Sequence, residues 1–282
     1  MHYELIRLGQ STIDFARTTA DTNDVRYETY RMNQGISLAA NLREALASST
    51  ISTPEGRVLV MVGTPVMLVP VDDFNDNDAD TLYRHAYPSS LSGNSGNSWC
   101  SSSEGVQTAI VGQSVVPTLD VVALFAIDKD VHTVVTDRFV QAKFMPAMQP
   151  LWTYLSSLSG NSGNSWHSSL RGGNVLHVCF HDGQMSAFAV RNNHVRFCNS
   201  FHVSRANDAA YLTLNAWTQM GMDADHDVVD IIGTPPEGDR FAETIRRYVR
   251  RVDVRRLADE FALPATAKEM PVDMQAFIAH GR

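Results

Sequence analysis

Hydrophobic and polar positions alternate most regularly between Val175 and Phe201. Three β-like runs, Val175–Phe180, Met185–Val190 and His194–Phe201, are separated by His181-Asp182-Gly183-Gln184 and Arg191-Asn192-Asn193. Asp, Asn and Gly tolerate positive φ, so these turns between alternating runs predict hairpins. From about Asn207 to Met220 the spacing becomes helical, and Gly221 closes it. Tyr211, Leu214 and Trp217 are expected to pack on the strands. Val228–Ile232 is a continuous apolar run ending at Gly233 and reads as a buried strand. The order is β-β-β-α-β. A further helix is expected over Asp239–Val252, with Phe241, Ile245, Tyr248, Val249 and Val252 as its buried stripe. Leu257–Arg282 reads as irregular, with a short helix near Met274–Ala279.

The N-terminal half follows the same plan. Glu4–Leu8 and Thr12–Ala16 flank a turn at Gly9-Gln10-Ser11, and Val25–Met32 supplies the third strand. Ser37 is a candidate N-cap for a helix to about Ser48, with Leu38, Leu42, Ala45 and Leu46 on one face. Val58–Val62 is a buried strand, Val66–Pro70 follows, and a helix after Asp73 runs to about Ala86. Val106–Val111 and Val121–Ile127 read as strands. Asp128 caps a helix to Phe139, Ala142–Met145 is a short strand and Met148–Leu155 a helix.

Two segments break the pattern. Ser89–Trp99 and Ser156–Trp166 are the same eleven residues, SSLSGNSGNSW. Ser, Gly and Asn of this kind predict flexible linker-like loops. The boundary is placed near the second copy, giving halves 1–155 and 167–282.

Composition narrows the class. With 282 residues the chain is long for one hydrophobic core, and 44% hydrophobic with 19% charged residues is that of a globular protein. The longest apolar run, Val58–Val71, is broken by Gly63, Thr64 and Pro65, so no membrane span is expected. The N-terminus shows no signal-peptide pattern. A net charge of −8 disfavours nucleic acid as a partner. Cys100, Cys179 and Cys198 lack CxxC spacing, which fits reduced thiols and a cytoplasmic location.

With these elements placed, the chain resembles a bacterial family, the domain of unknown function 3822 family. The matching segments are Gly63–Phe74 (GTPVMLVPVDDF), Val121–Val131 (VVALFAIDKDV), Phe144–Trp152 (FMPAMQPLW), Phe197–Phe201 (FCNSF), Asp208–Trp217 (DAAYLTLNAW) and Asp230–Gly233 (DIIG). The resemblance implies an α/β chain of two ribonuclease-H-like half-domains in an actin-like ATPase arrangement. It also implies similarity to the cytoplasmic scaffolds of pilus assembly and type II secretion. It carries no established activity.

Actin-like ATPases carry an Asp-x-Gly-x-Ser/Thr turn at the start of each half. The backbone cradles phosphate, and the Asp positions Mg²⁺ and water. Here Gly9, Gln10 and Ser11 fit the first turn, but Arg7 stands in place of the Asp. In the second turn, Asp182 lies within the turn beside Gly183. The third element, which packs on the base, becomes Gly233-Thr234-Pro235-Pro236. The turn preferences of these residues alone explain them as ordinary hairpin turns.

Other chemistry is weaker. His177, Cys179 and His181 share a strand face, but the two histidines are ~13 Å apart, too far for one metal ion. Asp72–Asp80 lacks the Gly and Glu of a calcium loop. No Gly-x-Ser-x-Gly elbow is present, and the first strand offers only Glu4 toward a nuclease carboxylate set. Arg246, Arg247, Arg250 and Arg251 are expected on the outer face of the Asp239–Val252 helix, as a solvated face or as a dock for an acidic partner. The expected function is a non-catalytic scaffold or assembly partner with degenerate nucleotide motifs, binding another protein or itself. The alternative is an ATPase with non-standard phosphate loops. No cofactor is expected under the first reading, and ATP–Mg²⁺ under the second.

Overall fold

The computed structural model describes residues 3–18, 25–52, 57–88, 109–160, 174–191 and 194–280. The chain divides into two compact units, Met1–Gln149 with Pro264–Ala267, and Pro150–Leu263 with Lys268–Arg282.

The first unit opens with β1 (Tyr3–Leu8), β2 (Thr12–Thr18) and β3 (Val25–Arg31), an antiparallel meander. Helix α1 (Leu38–Ser48) leads to β4 (Arg57–Val62), which runs parallel to β1. Ser37 caps α1, its Oγ accepting the Ala40 N–H at 3.2 Å. An insertion follows: β5 (Val66–Pro70), α2 (Ala79–Ala86), β6 (Ala109–Val116) and β7 (Val121–Asp128). Its strands form a separate antiparallel sheet in the order β5-β7-β6. Tyr83 and Tyr87 of the α2 region tie it together, their hydroxyls donating to Pro65 O at 2.7 Å and Val66 O at 2.9 Å.

Helix α3 (Lys129–Arg138) and β8 (Gln141–Pro146) complete the first sheet, ordered β3-β2-β1-β4-β8. Asp128 caps α3, its Oδ1 accepting from Asp130 N–H at 2.8 Å and Val131 N–H at 3.1 Å. Alternation along the strands sends Ile6, Leu8, Ile13, Phe15, Val58 and Val60 toward α1 and α3, where Leu42, Leu46, Val131 and Val135 meet them. Each such buried side chain contributes roughly 1.5–3 kcal/mol.

The second unit begins with α4 (Gln149–Gly160), whose first residue closes the first unit. Strands β9 (Val175–His181), β10 (Gln184–Arg191) and β11 (His194–His202) form another antiparallel meander. Helix α5 (Ala206–Gln219) leads to β12 (Val228–Gly233), α6 (Asp239–Ile245) and β13 (Arg251–Arg255). The sheet order is β11-β10-β9-β12-β13, with β12 parallel to both neighbours. This is the order of the first sheet, so the chain contains the same β-β-β-α-β-α-β unit twice. Leu176, Val178, Met185, Ala187, Val229 and Ile231 face α5 and α6. The opposite face carries His177, Phe188 and Asp230, and Trp152 of α4 stacks on Phe188 there. Short helices α7 (Leu257–Glu260), α8 (Ala265–Lys268) and α9 (Val272–His280) end the chain.

Several expectations change. The helix expected over Asp239–Val252 stops at Ile245: the Tyr248 and Val249 N–H groups both donate to Ile245 O, closing the turn. The chain then enters β13. Val249 and Val252 fit a helical stripe and a strand equally well, so spacing alone could not separate them. Tyr211 is 70% exposed, because α5 buries its small residues Ala206, Ala209, Ala210, Thr213 and Ala216 with Trp217. Helix α4 runs past Leu155 to Gly160, so the first residues of the second repeated segment are helical rather than a loop. Ser156 Oγ and Ser157 Oγ donate back to Thr153 O and Tyr154 O at 3.0 and 2.6 Å. Residues 161–166 of that segment, the whole of Ser89–Trp99, and Asn192-Asn193 lie outside the described residues. The region after Leu257 is substantially helical rather than irregular.

Candidate functional site

In the first unit the turn candidates sit at the end of β1. Gly9 is buried, and its N–H donates to Thr12 O at 2.9 Å, while Ser11 O accepts from Met32 N–H at 2.9 Å. Gln10 lies between them, partly buried, with Ser11 exposed. The Gly9 amide is therefore engaged in closing its own turn. Arg7 is 1% exposed and points to the face opposite Ile6 and Leu8. Its Nη1 lies 3.4 Å from Asp14 Oδ2 across β1 and β2. Asp14 also accepts from Thr12 Oγ1 at 3.0 Å and from the Tyr27 hydroxyl at 2.9 Å. Burial, then the Asp14 charge, pushes the Tyr27 phenol well above its ordinary range, so Tyr27 remains a proton donor to this carboxylate.

In the second unit the candidates gather at one end of the sheet. Asp182 and Gly183 have φ of 45° and 73°, a two-residue hairpin with both central residues left-handed. Gly183 O accepts the Val203 N–H at 3.0 Å. Gly233 pairs with Phe180 on the neighbouring strand, which brings the third element beside this turn. Thr234 is exposed. The loop beyond it turns back on α5: Glu237 Oε1 accepts the Ala206 N–H at 3.2 Å, and its Oε2 meets Arg240 Nη1 at 2.6 Å. A carboxylate of the chain itself thus occupies the positive end of the α5 dipole.

The densest buried chemistry of the second unit lies elsewhere, on the α4-facing side of its sheet. Asp230 on β12 is 4% exposed. Its Oδ2 meets His177 Nδ1 at 2.7 Å and Arg255 Nη1 at 3.0 Å. Arg255 Nη2 continues to Glu260 Oε1 at 2.6 Å and the Tyr154 hydroxyl at 2.7 Å, and Tyr154 itself bonds Glu260. Burial pushes the Asp230 carboxyl up, but the His177 hydrogen bond and the His177 and Arg255 charges outweigh it and hold it below the usual range. His177 and Asp230 have the spacing of an orienting pair. The neighbouring thiol, Cys179, is fully buried and pushed far up by that burial, so it is unreactive. Cys198 is likewise pushed up to about 12 by burial. The network fastens α4, β13 and α7 to the sheet.

The comparisons with known proteins fit this architecture. The family model described as a protein of unknown function, DUF3822, matches residues 3–252. The chain belongs to this family. A protein from Bacteroides thetaiotaomicron VPI-5482, described as having an actin-like ATPase fold and unknown function, superposes with a TM-score of 0.76 at 18% identity. The alignment covers 98% of this chain and 95% of that one. The fold is therefore the actin-like ATPase fold of two ribonuclease-H-like halves. More distant likenesses include a PilM–PilN type IV pilus biogenesis complex, with a TM-score of 0.49, 9% identity, and coverage of 98% and 94%. An inorganic polyphosphate/ATP-glucomannokinase from Arthrobacter sp. strain KM aligns with a TM-score of 0.43, 9% identity, and coverage of 99% and 98%. Similarity that remote carries no functional weight. No curated protein matches.

The four arginines do not form the helix face expected of them. Arg246 and Arg247 lie in the turn after α6, Arg250 precedes β13 and Arg251 begins it. Arg250 pairs with Asp225 at 3.3 Å, and Arg251 Nη1 donates to His226 O at 2.9 Å. Sequence reasoning passed over Asp14 and Arg255 as functional candidates, weighed His177 only as a metal ligand beside His181, and took Asp230 only as part of a matching segment. The available signal was a charged residue inside an apolar strand run, as in Val228-Val229-Asp230-Ile231-Ile232, because buried charge requires a partner. No helix among the described residues is long and apolar enough to cross a membrane. No group of three or more metal-ligating side chains occurs among them.

Proposed function

We propose that this protein is a non-catalytic actin-like protein that serves as a cytoplasmic scaffold or assembly partner, engaging another protein or a second copy of itself. One observation carries the reading. Actin-like ATPases place a Mg²⁺-positioning Asp before the first turn. This chain has Arg7 there, buried and committed to Asp14. A guanidinium repels the metal and has no lone pair to offer it. Support also comes from the engaged Gly9 amide and from the Glu237 carboxylate on α5. The two cysteines among the described residues, Cys179 and Cys198, are free thiols, which suits a reducing compartment.

The competing reading is a nucleotide-binding ATPase using Gly9, Gln10, Ser11, Asp182, Gly183, Gly233 and Thr234. Phosphate release from ATP in the presence of Mg²⁺ separates the two. The scaffold reading expects a rate equal to a no-protein control. Mg²⁺-dependent turnover above that control, lost in Asp182→Asn, overturns it in favour of the ATPase.

A further inference from the structure

The face of the second sheet that carries His177 also carries a row of polar side chains toward β11. Ser186 lies directly opposite Cys179 on β9 and Ser200 on β11, so the three side chains share that face. His181 is a diagonal neighbour of Ser186 across β9 and β10, within reach of a long side chain. The contacts follow: Ser186 Oγ lies 2.8 Å from Ser200 Oγ and 3.3 Å from His181 Nε2. Ser186 is 3% exposed, and a hydroxyl buried in a strand requires partners. Ser200 is exposed on β11, an edge strand with no strand on its outer side among the described residues. The two-residue turn Asp182-Gly183, with both φ positive, pairs His181 with Gln184 and so holds the imidazole beside Ser186. The contacts therefore run from a half-buried imidazole, through a buried hydroxyl, to a hydroxyl that solvent reaches.

We propose that Ser200 is a nucleophilic serine, activated by His181 through Ser186, and that it accepts acyl groups from activated esters. A lone serine hydroxyl is a weak nucleophile and needs a base within hydrogen-bond reach. With the His181 proton on Nδ1, Nε2 accepts from Ser186 and Ser186 accepts from Ser200, so both hydrogen bonds point toward the imidazole. Ser200 Oγ attacks the acyl carbon. Its proton passes to Ser186 Oγ as the Ser186 proton passes to His181 Nε2. The ester C–O bond then breaks, and the alcohol departs with the proton returned along the same path. The products are an O-acyl serine and a free alcohol. Cys179 and Cys198 are the competing nucleophiles of this face, and burial holds both as thiols. Acylation is a single transfer. It goes beyond the scaffold reading and does not rest on it, because a protein that turns over no ATP can still carry a modified serine.

The probe is a fluorophosphonate coupled to rhodamine, incubated with the full chain. On reaction the Ser200 Oγ–P bond forms, the P–F bond breaks and fluoride leaves. Labelling should map to Ser200 by mass spectrometry of the digested chain. It should vanish in Ser200→Ala, an exposed position where the fold is not at stake. Ser186→Ala and His181→Ala should each slow it by at least about 10²-fold, the usual share of a positioned base. Imidazole added in solution should restore part of the rate to His181→Ala but not to Ser186→Ala, a response that a purely structural role does not give. p-Nitrophenyl acetate should leave an acetyl group on the same serine. Wild-type labelling no greater than that of Ser200→Ala, or labelling of Ser200 at an unchanged rate in Ser186→Ala and His181→Ala, overturns the proposal. So does acetylation by p-nitrophenyl acetate that spares Ser200.

Discussion

The Arg255 guanidinium lies 3.0 Å from Asp230 Oδ2 in the covered face of the second sheet. The two residues sit on neighbouring parallel strands, and the pair extends to His177 on one side and to Glu260 and Tyr154 on the other. A carboxylate this buried is tolerated because the Arg255 guanidinium and the His177 ring nitrogen both reach the same oxygen. Removing one member strands the others, so Asp230→Ala should cost about 3–5 kcal/mol. A urea titration of the full chain measures it. A loss below about 1 kcal/mol, the range of surface substitutions, would mean that the network does not hold β13 and α7 in place.

Acid should weaken the second unit in two stages. The folded Asp230 pKa lies below its unfolded value, so its contribution is complete above about pH 4 and lost as pH falls through the folded value. His280 is also depressed, here because burial penalises its charged form. The unfolded chain therefore takes up this proton first, and stability declines as pH falls from about 6.5 toward the folded value. Unfolding midpoints measured across pH should fall through both windows. His280→Phe, which preserves stacking on Tyr154, should remove only the upper stage.

Helix α5 gives a test of which face is buried. Trp217 is buried with the small residues of the helix, while Tyr211 stands in solvent. Trp217→Ala should cost about 3–5 kcal/mol, and Tyr211→Ala should stay within about 0.5 kcal/mol. Comparable losses in denaturant would rotate the helix relative to the sheet.

Strand order and type were largely legible because alternation, Asp-Gly turns and apolar runs are local signals. The repeated β-β-β-α-β pattern could be read for the same reason. The boundary after Ile245 was not: Val249 and Val252 satisfy both periods, and only pairing of β13 with β12 decides between them. Helix α5 misled in another way. Its large residues suggest a face, but the sheet accepts its alanines, and close packing is a property of both surfaces. At the candidate site the turns could be read, whereas the Asp230–His177–Arg255 network could not. Its members are 53 and 25 residues apart in sequence, and only the sheet register unites them.

Gly233 and Gly221 both have positive φ, 86° and 64°, but their surroundings differ. A Cβ on Gly221 meets nothing within 4 Å. A Cβ on Gly233 would lie 2.3 Å from the Phe180 carbonyl oxygen, a backbone atom fixed by the β9–β12 ladder. Alanine at Gly221 bears only the left-handed backbone penalty, about 1–2 kcal/mol. Alanine at Gly233 bears that penalty and must also push apart two paired strands, so its loss should exceed that of Gly221→Ala by at least about 1–3 kcal/mol. Paired urea titrations of the two variants provide the comparison. Equal losses would show that the end of β12 is free to move away from Phe180, and the close approach would then not be what requires glycine at the third turn.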